Sequence, residues 1–298
     1  MTIQQIEHNT NLLVDTDGSG GHKLTTVTGL IDENGVTYGI KHVDNKIRVS
    51  AMPYSFDIAE GNVTGHTAVS KFGHNSAVGA TLEPIWDYSG VYTYLANTTF
   101  ATMYISSDAA ADQGMTYAVT GIDSDYNYST VTVTTDGSDG RTFVALTSGA
   151  TDNKWWRIFR AMNTSSQAAA GNIYISKDNT DVGGNGIPDT VTDIQAQILI
   201  GKEQTLMALW TCPVGNTAYL TSYYAATSTT KVTEVDLYVR PFGGVFNVKH
   251  IILINAGAYY HKFDFPLSVA AKSDILIKAS AAGGGGEVSA GFDLWFEA

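Results

Sequence analysis

Where this chain is regular, it repeats every two residues. Thr130 to Thr135 reads TVTVTT, so its valines fall on one face of an extended strand and its threonines on the other. Gly291 to Glu297 reads GFDLWFE, with Phe292, Leu294 and Phe296 opposed to Asp293, Trp295 and Glu297 as in a half-buried closing strand. No long stretch carries the 3.6-residue period of an amphipathic helix. SSDAAADQ (106–113) allows one or two helical turns after a serine cap, and SSQAAAG is too short to nucleate. Charged residues are 15% of the 298, below the usual ~25%, and 30 glycines help fill the gap, which excludes coiled coils and charge-driven disorder. The chain is predicted to be all-β.

Three segments follow. Residues 1–53 form an extended N-terminal arm of short, weakly apolar strands separated by the turn strings DTDGSGGH (15–22) and DENG (32–35). Such strands hold no core alone, so the arm is expected to pair with the body or with a neighbouring subunit. Residues 54–200 form a central antiparallel β-sandwich that includes TVTVTT, its expected hairpin partner RTFVALT, WWRIFRAM and NIYIS. Residues 201–298 form a second sandwich, jelly-roll-like, from seven strand candidates spaced by Gly, Asn and Pro turns. The run Gly283 to Gly286 is a loop there; no helix follows it to cradle a phosphate.

A formal charge of −12 with no basic run disfavours nucleic acid and anionic membrane as partners. The longest apolar runs, such as Ile251 to Ile254, are far short of the ~20 residues a membrane-spanning helix requires. The first residues lack a basic segment followed by an apolar one, so no secretory signal is expected. The single cysteine, Cys212, admits no intramolecular disulfide and reads as a buried small hydrophobe.

Catalytic chemistry leaves no trace of its own. GxSxG, HExxH and GxxxxGK[ST] strings are absent, and His8, His22, His42, His66, His74, His250 and His261 are scattered without metal-ligand spacing. The pair Asp123 and Asp125 is the sort any acidic β protein shows, which leaves a polysaccharide hydrolase as a minor alternative. No catalytic, cofactor or metal residue is therefore assigned. Two strings invite calcium. Asp15, Asp17, Ser19 and Gly20 begin like an EF-hand loop, but Thr26 stands where the bidentate Glu belongs. Asp178, Asp181, Asn185 and Asp189, with Gly183, Gly184 and Gly186, resemble an extracellular calcium repeat; occurring once between two strands, the string reads first as a hairpin loop, with calcium as the alternative.

Adjacent aromatics are more informative. In Trp155–Trp156, Tyr223–Tyr224 and Tyr259–Tyr260 the two rings point to opposite faces of a strand, so one of each pair leaves the local core for a second interface, a sugar-binding shelf or a sheet edge.

Three stretches carry a family likeness: MPYSFDIAEGNVTGHTAVSKFGHN with VGATLEPIWDYSGVYTYL (52–75 and 78–95), LMALWTCPVGNTAYLTSYYA (206–225), and EVDLYVRPFGGVFNVKH with the closing SAGFDLWFEA. Together they resemble a group of tailed-bacteriophage virion proteins common in marine phages. The resemblance implies a structural protein of the particle, residing in the virion and in host cytoplasm during assembly. Its expected partners are the major capsid protein or other virion subunits, and its own copies as an oligomer, a trimer first. The leading expectation is a capsid decoration (cement) protein; a tail or neck component, or an adhesin holding host glycan, is the alternative. No enzyme activity and no cofactor are expected.

Overall fold

The computed structural model describes residues 54–298 apart from 89 and 90 and, before residue 54, the backbone of six short strands. The chain divides into two compact units, 1–57 and 58–298. In the first, three antiparallel pairs follow one another: β1 (Leu13–Asp15) with β2 (Lys23–Thr25), β3 (Gly29–Ile31) with β4 (Thr37–Gly39), and β5 (His42–Val43) with β6 (Lys46–Ile47). The EF-hand-like string, apart from the backbone of its strand residues, lies outside the described residues.

A short helix, α1 (Tyr54–Ala59), precedes the β body; the alternation had suggested no helix there. The remaining strands are β7 (His66–Val78), β8 (Glu83–Pro84), β9 (Tyr104–Ser107), β10 (Thr116–Asp123), β11 (Tyr128–Thr134), β12 (Val144–Ala145), β13 (Trp155–Asn163), β14 (Ile173–Ser176), β15 (Ile194–Ile198), β16 (Leu209–Thr211), β17 (Thr217–Thr227), β18 (Thr233–Arg240), β19 (Asn247–Ile254), β20 (Gly257–Val269), β21 (Asp274–Ala281) and β22 (Gly286–Glu297). The helical turns expected over 106–113 reduce to a single 3-10 turn at Ala110–Asp112. No helix among the described residues is long and apolar enough to cross a membrane.

Two antiparallel sheets, ordered β20-β17-β22-β7 and β16-β21-β18-β19, form a jelly roll. Counted along the chain from β7 and then from β16 to β22, these eight strands alternate between sheets except for the hairpin β18–β19, which is the double Greek-key pattern of that fold. The roll takes its first strand from 66–78, so the boundary expected at residue 200 is crossed: residues 79–205, apart from β8, which pairs with β21 of the roll, are an insertion between its first and second strands. The insertion is a smaller sandwich of sheets β11-β10-β13 and β12-β9-β14-β15. RTFVALT does not return beside TVTVTT. Asp136 accepts the N–H groups of Ser138 and Asp139, Ser107 N–H donates to Gly140 O (2.9 Å), and the chain is thereby turned so that β12 pairs with β9 in the opposite sheet.

The chain leaves and re-enters the roll beside β7. Ala208 N–H donates to Ile85 O (2.9 Å), and a Cβ placed on Gly73 would lie 2.4 Å from that same carbonyl oxygen, so only glycine lets the strands approach. One continuous apolar core runs from Ile105, Trp155 and Ile175 of the insertion to Trp210, Leu237 and Phe292 of the roll.

A polar knot fastens insertion to roll. Arg157 of β13, wholly buried, donates through Nε to Asp274 Oδ1 of β21 (3.0 Å) and through Nη1 to the carbonyls of Leu95 (3.0 Å) and Trp156 (2.9 Å). Thr211 Oγ1 donates to Asp274 Oδ1 (2.6 Å), and Arg240 of β18 donates Nε to Oδ2 (2.9 Å) and adds a second bond from Nη2. The guanidinium of Arg157 lies 4.0 Å from the Trp156 ring centre, and that of Arg240 lies 4.4 Å from the Tyr94 ring centre. Removing one partner from such an arrangement strands an uncompensated charge. Asp274→Asn is therefore expected to lower the unfolding free energy by about 3–5 kcal/mol in urea titration.

Candidate interaction surface

A jelly roll has two margins, and here they differ. At one, β8 and β16 lie end to end along β21 and are covered by the insertion, with Trp86 of the crossing segment bridged to Met207. At the other, β19 is the last strand of its sheet and β20 the last of its own, joined by a turn in which Ala256 takes a positive φ and donates its N–H to Thr229 O (2.9 Å). Their outward backbone groups are therefore a ready template for another strand.

Side chains along this second margin are unusually apolar for an exposed edge. Val248, Ile251, Leu253, Tyr259, Tyr260 and Phe265 are all exposed, Phe265 at 90%. A conspicuous bulge interrupts β20. Leu267 pairs with Leu220 and Lys262 with Ser222, so the four residues Phe263, Asp264, Phe265 and Pro266 stand opposite Thr221 alone. Proline and a bulge both obstruct continuous pairing, leaving Gly257 to Lys262 as the free edge segment. Between the two strands His250 and His261 pack ring to ring at 4.2 Å, with Phe263 edge-on to His261 at 4.7 Å. Burial first, and then the neighbouring His261, lowers the pKa of His250.

A second feature lies on the outer face of the other sheet. An open cavity of about 260 Å³ is lined by Leu82, Val91, Tyr94, Phe246, Leu276 and Lys278, among others. The Lys278 ammonium sits over the rings of Tyr238 (5.2 Å) and Phe246 (5.7 Å), and the Tyr94 hydroxyl is buried without a hydrogen-bond partner. On the outer face of the first sheet Tyr219 and Trp295 stack at 4.3 Å, and Trp295 stacks on His66 at 5.2 Å.

The aromatic pairs divide three ways. Trp155 and Trp156 are both fully buried, the second against Tyr126, Phe242 and Arg157 where insertion meets roll, so its second interface lies within the chain. Tyr223 is buried and donates to Val235 O, while Tyr224 covers Gly291. Tyr259 and Tyr260 alone stay open to solvent on both sides of their strand.

The residues weighed for chemistry do not converge. Asp123 is buried and its Oδ1 accepts the N–H groups of Asp125 (3.0 Å) and Asn127 (2.9 Å), while Asp125 is exposed. Cys212 is buried, and burial pushes its thiol up to about 12. In the 178–189 loop the carboxylates bind their own backbone: Asp178 accepts from Thr180 and Thr190, Asp181 from Gly186, Asp189 from Val182. Gly186 has a φ of +78°, and a Cβ there would fall 1.8 Å from Ser107 O, so the loop is pressed onto β9. No group of three or more His, Cys, Asp or Glu among the described residues is placed to hold a metal ion.

Sequence reasoning missed the buried charges. Lys71 of β7 is 2% exposed and donates to Phe159 O of the insertion; burial drives its pKa well below the ordinary lysine value. Asp87 accepts Leu206 N–H (3.2 Å) through Oδ2, its Oδ1 is sealed without a partner, and burial raises its pKa to about 7. A lone Lys in HTAVSKFGHN or Asp in PIWDYSG has no local signal of burial; only the inserted sandwich, folding back on β7, makes it so.

No protein-family model matches the chain, and no curated protein matches it. Among solved structures, one of infectious bursal disease virus (Gx strain) aligns over 78% of this chain and 72% of its own, at 10% identity and a TM-score of 0.22. The PBSX exported protein XepA aligns over 97% and 100%, at 14% identity and a TM-score of 0.18. TM-scores this low establish no common fold.

Asp87 supplies a pH test. Its folded pKa lies above the unfolded value of 3.8, so its contribution to stability is intact below about pH 4 and is lost as pH rises through about 7. Asp87→Asn, which keeps an acceptor for Leu206 N–H, is expected to melt above the parent at pH 8 and level with it near pH 3.5, as followed by scanning calorimetry.

Proposed function

We propose that this chain is a structural subunit of a bacteriophage particle, and within that class a decoration protein that binds the assembled head and stiffens it. The observation that carries this reading is the open margin of β19 and β20, where two sheets end side by side with exposed aromatic and aliphatic side chains. A margin of this kind adds strands from a neighbour, with main-chain hydrogen bonds giving affinity and alternate side chains giving specificity. Area rather than chemistry is then the working quantity: a stable contact needs roughly 800 Å² per partner, and the exposed apolar strip extends over both long strands of the hairpin.

The sequence resemblance to phage virion proteins points the same way. The major capsid protein or other virion subunits are the natural partners, the acidic surface suits a place away from DNA, and the protein acts without catalysis or a bound cofactor. A second reading, a tail or neck adhesin holding host glycan, is favoured by the row Tyr219–Trp295–His66, since ring faces of this sort stack on sugars.

Cryo-electron microscopy of whole particles, with copy number from a stained gel, separates the two. The decoration reading expects many copies on a symmetry axis of the capsid lattice. Density confined to the tail, in few copies, would overturn it in favour of the adhesin, and reducing-sugar release by the purified protein would overturn both.

A further inference from the structure

The bulge on β20 and the cavity beside β21 are opposite in kind: one presents an aromatic ring beside a carboxylate, the other apolar walls beside an ammonium. Phe265 projects from the bulge at 90% exposure, followed by Pro266, while Phe263 anchors the base of the bulge by packing edge-on to His261. Asp264 is exposed beside Phe265. The cavity of about 260 Å³ is walled by Leu82, Val91, Tyr94, Phe246 and Leu276, with Lys278 at its edge. Binding sites for drug-sized ligands run from about 300 to 1,000 Å³, so this one is sized for a side chain. Neither Asp264 nor Lys278 belongs to an ion pair among the described residues.

We infer that the occupant of the cavity is Phe265 of a second copy of this chain, with Asp264 of that copy meeting Lys278. An acidic group and an aromatic ring, adjacent on one strand, face a cavity that offers aromatic walls and an ammonium whose nearest carboxylate, Asp236 across the strand pair, lies beyond ion-pair distance. Both halves of the match are carried by the same polypeptide, which a foreign partner would not require. Buried aromatic anchors set in pockets dominate interface energetics, and the exposed Tyr259, Tyr260, Ile251 and Leu253 beside the bulge supply the surrounding apolar area. Because bulge and cavity are different patches, the contact is head-to-tail, and it closes into a ring or runs on as a filament according to its rotation. This deepens the assembly reading and rests on it for its biological setting, but it concerns the purified chain alone.

The test is light scattering coupled to size-exclusion chromatography at about 100 µM, a concentration that detects even modest association. The parent protein is expected to form a defined oligomer. Asp264→Lys and Lys278→Asp are each expected to dissociate it, and the double variant D264K/K278D to restore it, because the charges then match again with their places exchanged. Phe265→Ala is expected to weaken association about thirty-fold or more. Asp264 and Phe265 are exposed and Lys278 is half-buried opposite Asp236, so a circular dichroism melt is used to check that each variant folds before its association is read. A monomeric parent, or a double variant no better than either single one, overturns the inference. Such a result leaves the particle reading standing, since binding to capsid is measured separately on virions.

Discussion

Two guanidinium groups converge on one carboxylate in the interior, and the relation between the two sandwiches hangs on that meeting. Arg157 belongs to the insertion, Asp274 and Arg240 to the roll, and each bond between them is made in a place almost without water. Buried ion pairs rarely add net stability over apolar packing of equal volume, because desolvation of the charges offsets their attraction. What they do supply is a sharp penalty for misalignment. If the insertion slid or rotated on the roll, Arg157 would lose Asp274 while still held by the Leu95 and Trp156 carbonyls of its own sandwich, leaving both Arg157 and Asp274 short of a partner with no solvent to replace it. Apolar contacts such as Trp156 against Phe242 tolerate small displacements far better. The knot therefore sets geometry, and the core around it sets stability.

That fixed geometry explains why the margins of the roll are unequal. The insertion covers the part of this margin formed by β8 and β16 and fills it with Trp86 and Met207. Nothing among the described residues does the same for β19 and β20. Natural edge strands are usually blunted by charge, by proline or by bulges. Here Pro266 and the four-residue bulge blunt only the middle of β20, and the aromatic residues on either side are left in place. A margin that is obstructed at one point and apolar elsewhere is selective rather than merely protected: it refuses a continuous strand while presenting Phe265 as a single projecting contact.

Much of the fold was legible because period-two alternation is a direct record of a strand with one buried face. Phe292, Leu294 and Phe296 are buried and Asp293, Trp295 and Glu297 are half-exposed, as their order in GFDLWFE requires. DILIKASA (274–281), one of the seven strand candidates of the C-terminal segment, coincides with β21 residue for residue. Pairing was less legible, since alternation says which face is inward but not which strand is alongside. RTFVALT has a strand pattern next to a turn string, yet hydrogen bonds made by Asp136 and Gly140 send it to the other sheet. The displacement of the first roll strand to residues 66–78 escaped for the same reason: its partner, β22, lies more than two hundred residues away, and no local pattern records a partner at that distance.

The interaction surface was half legible. Doubled aromatics required one ring of each pair to leave its local core, and that inference needs only strand geometry. Where the second ring goes depends on what the topology places opposite it. Trp156 meets the roll because the insertion folds back over Asp274; Tyr224 meets a glycine because β22 runs beside β17; Tyr259 and Tyr260 meet solvent because β20 has no further neighbour. A strand order thus turns one rule of stereochemistry into three outcomes, and only the third leaves apolar surface available to another molecule. Surface of that kind carries a standing cost in solubility unless it is covered in use, which is the physical reason to place the working face of this protein on the β19–β20 margin rather than in any of its loops.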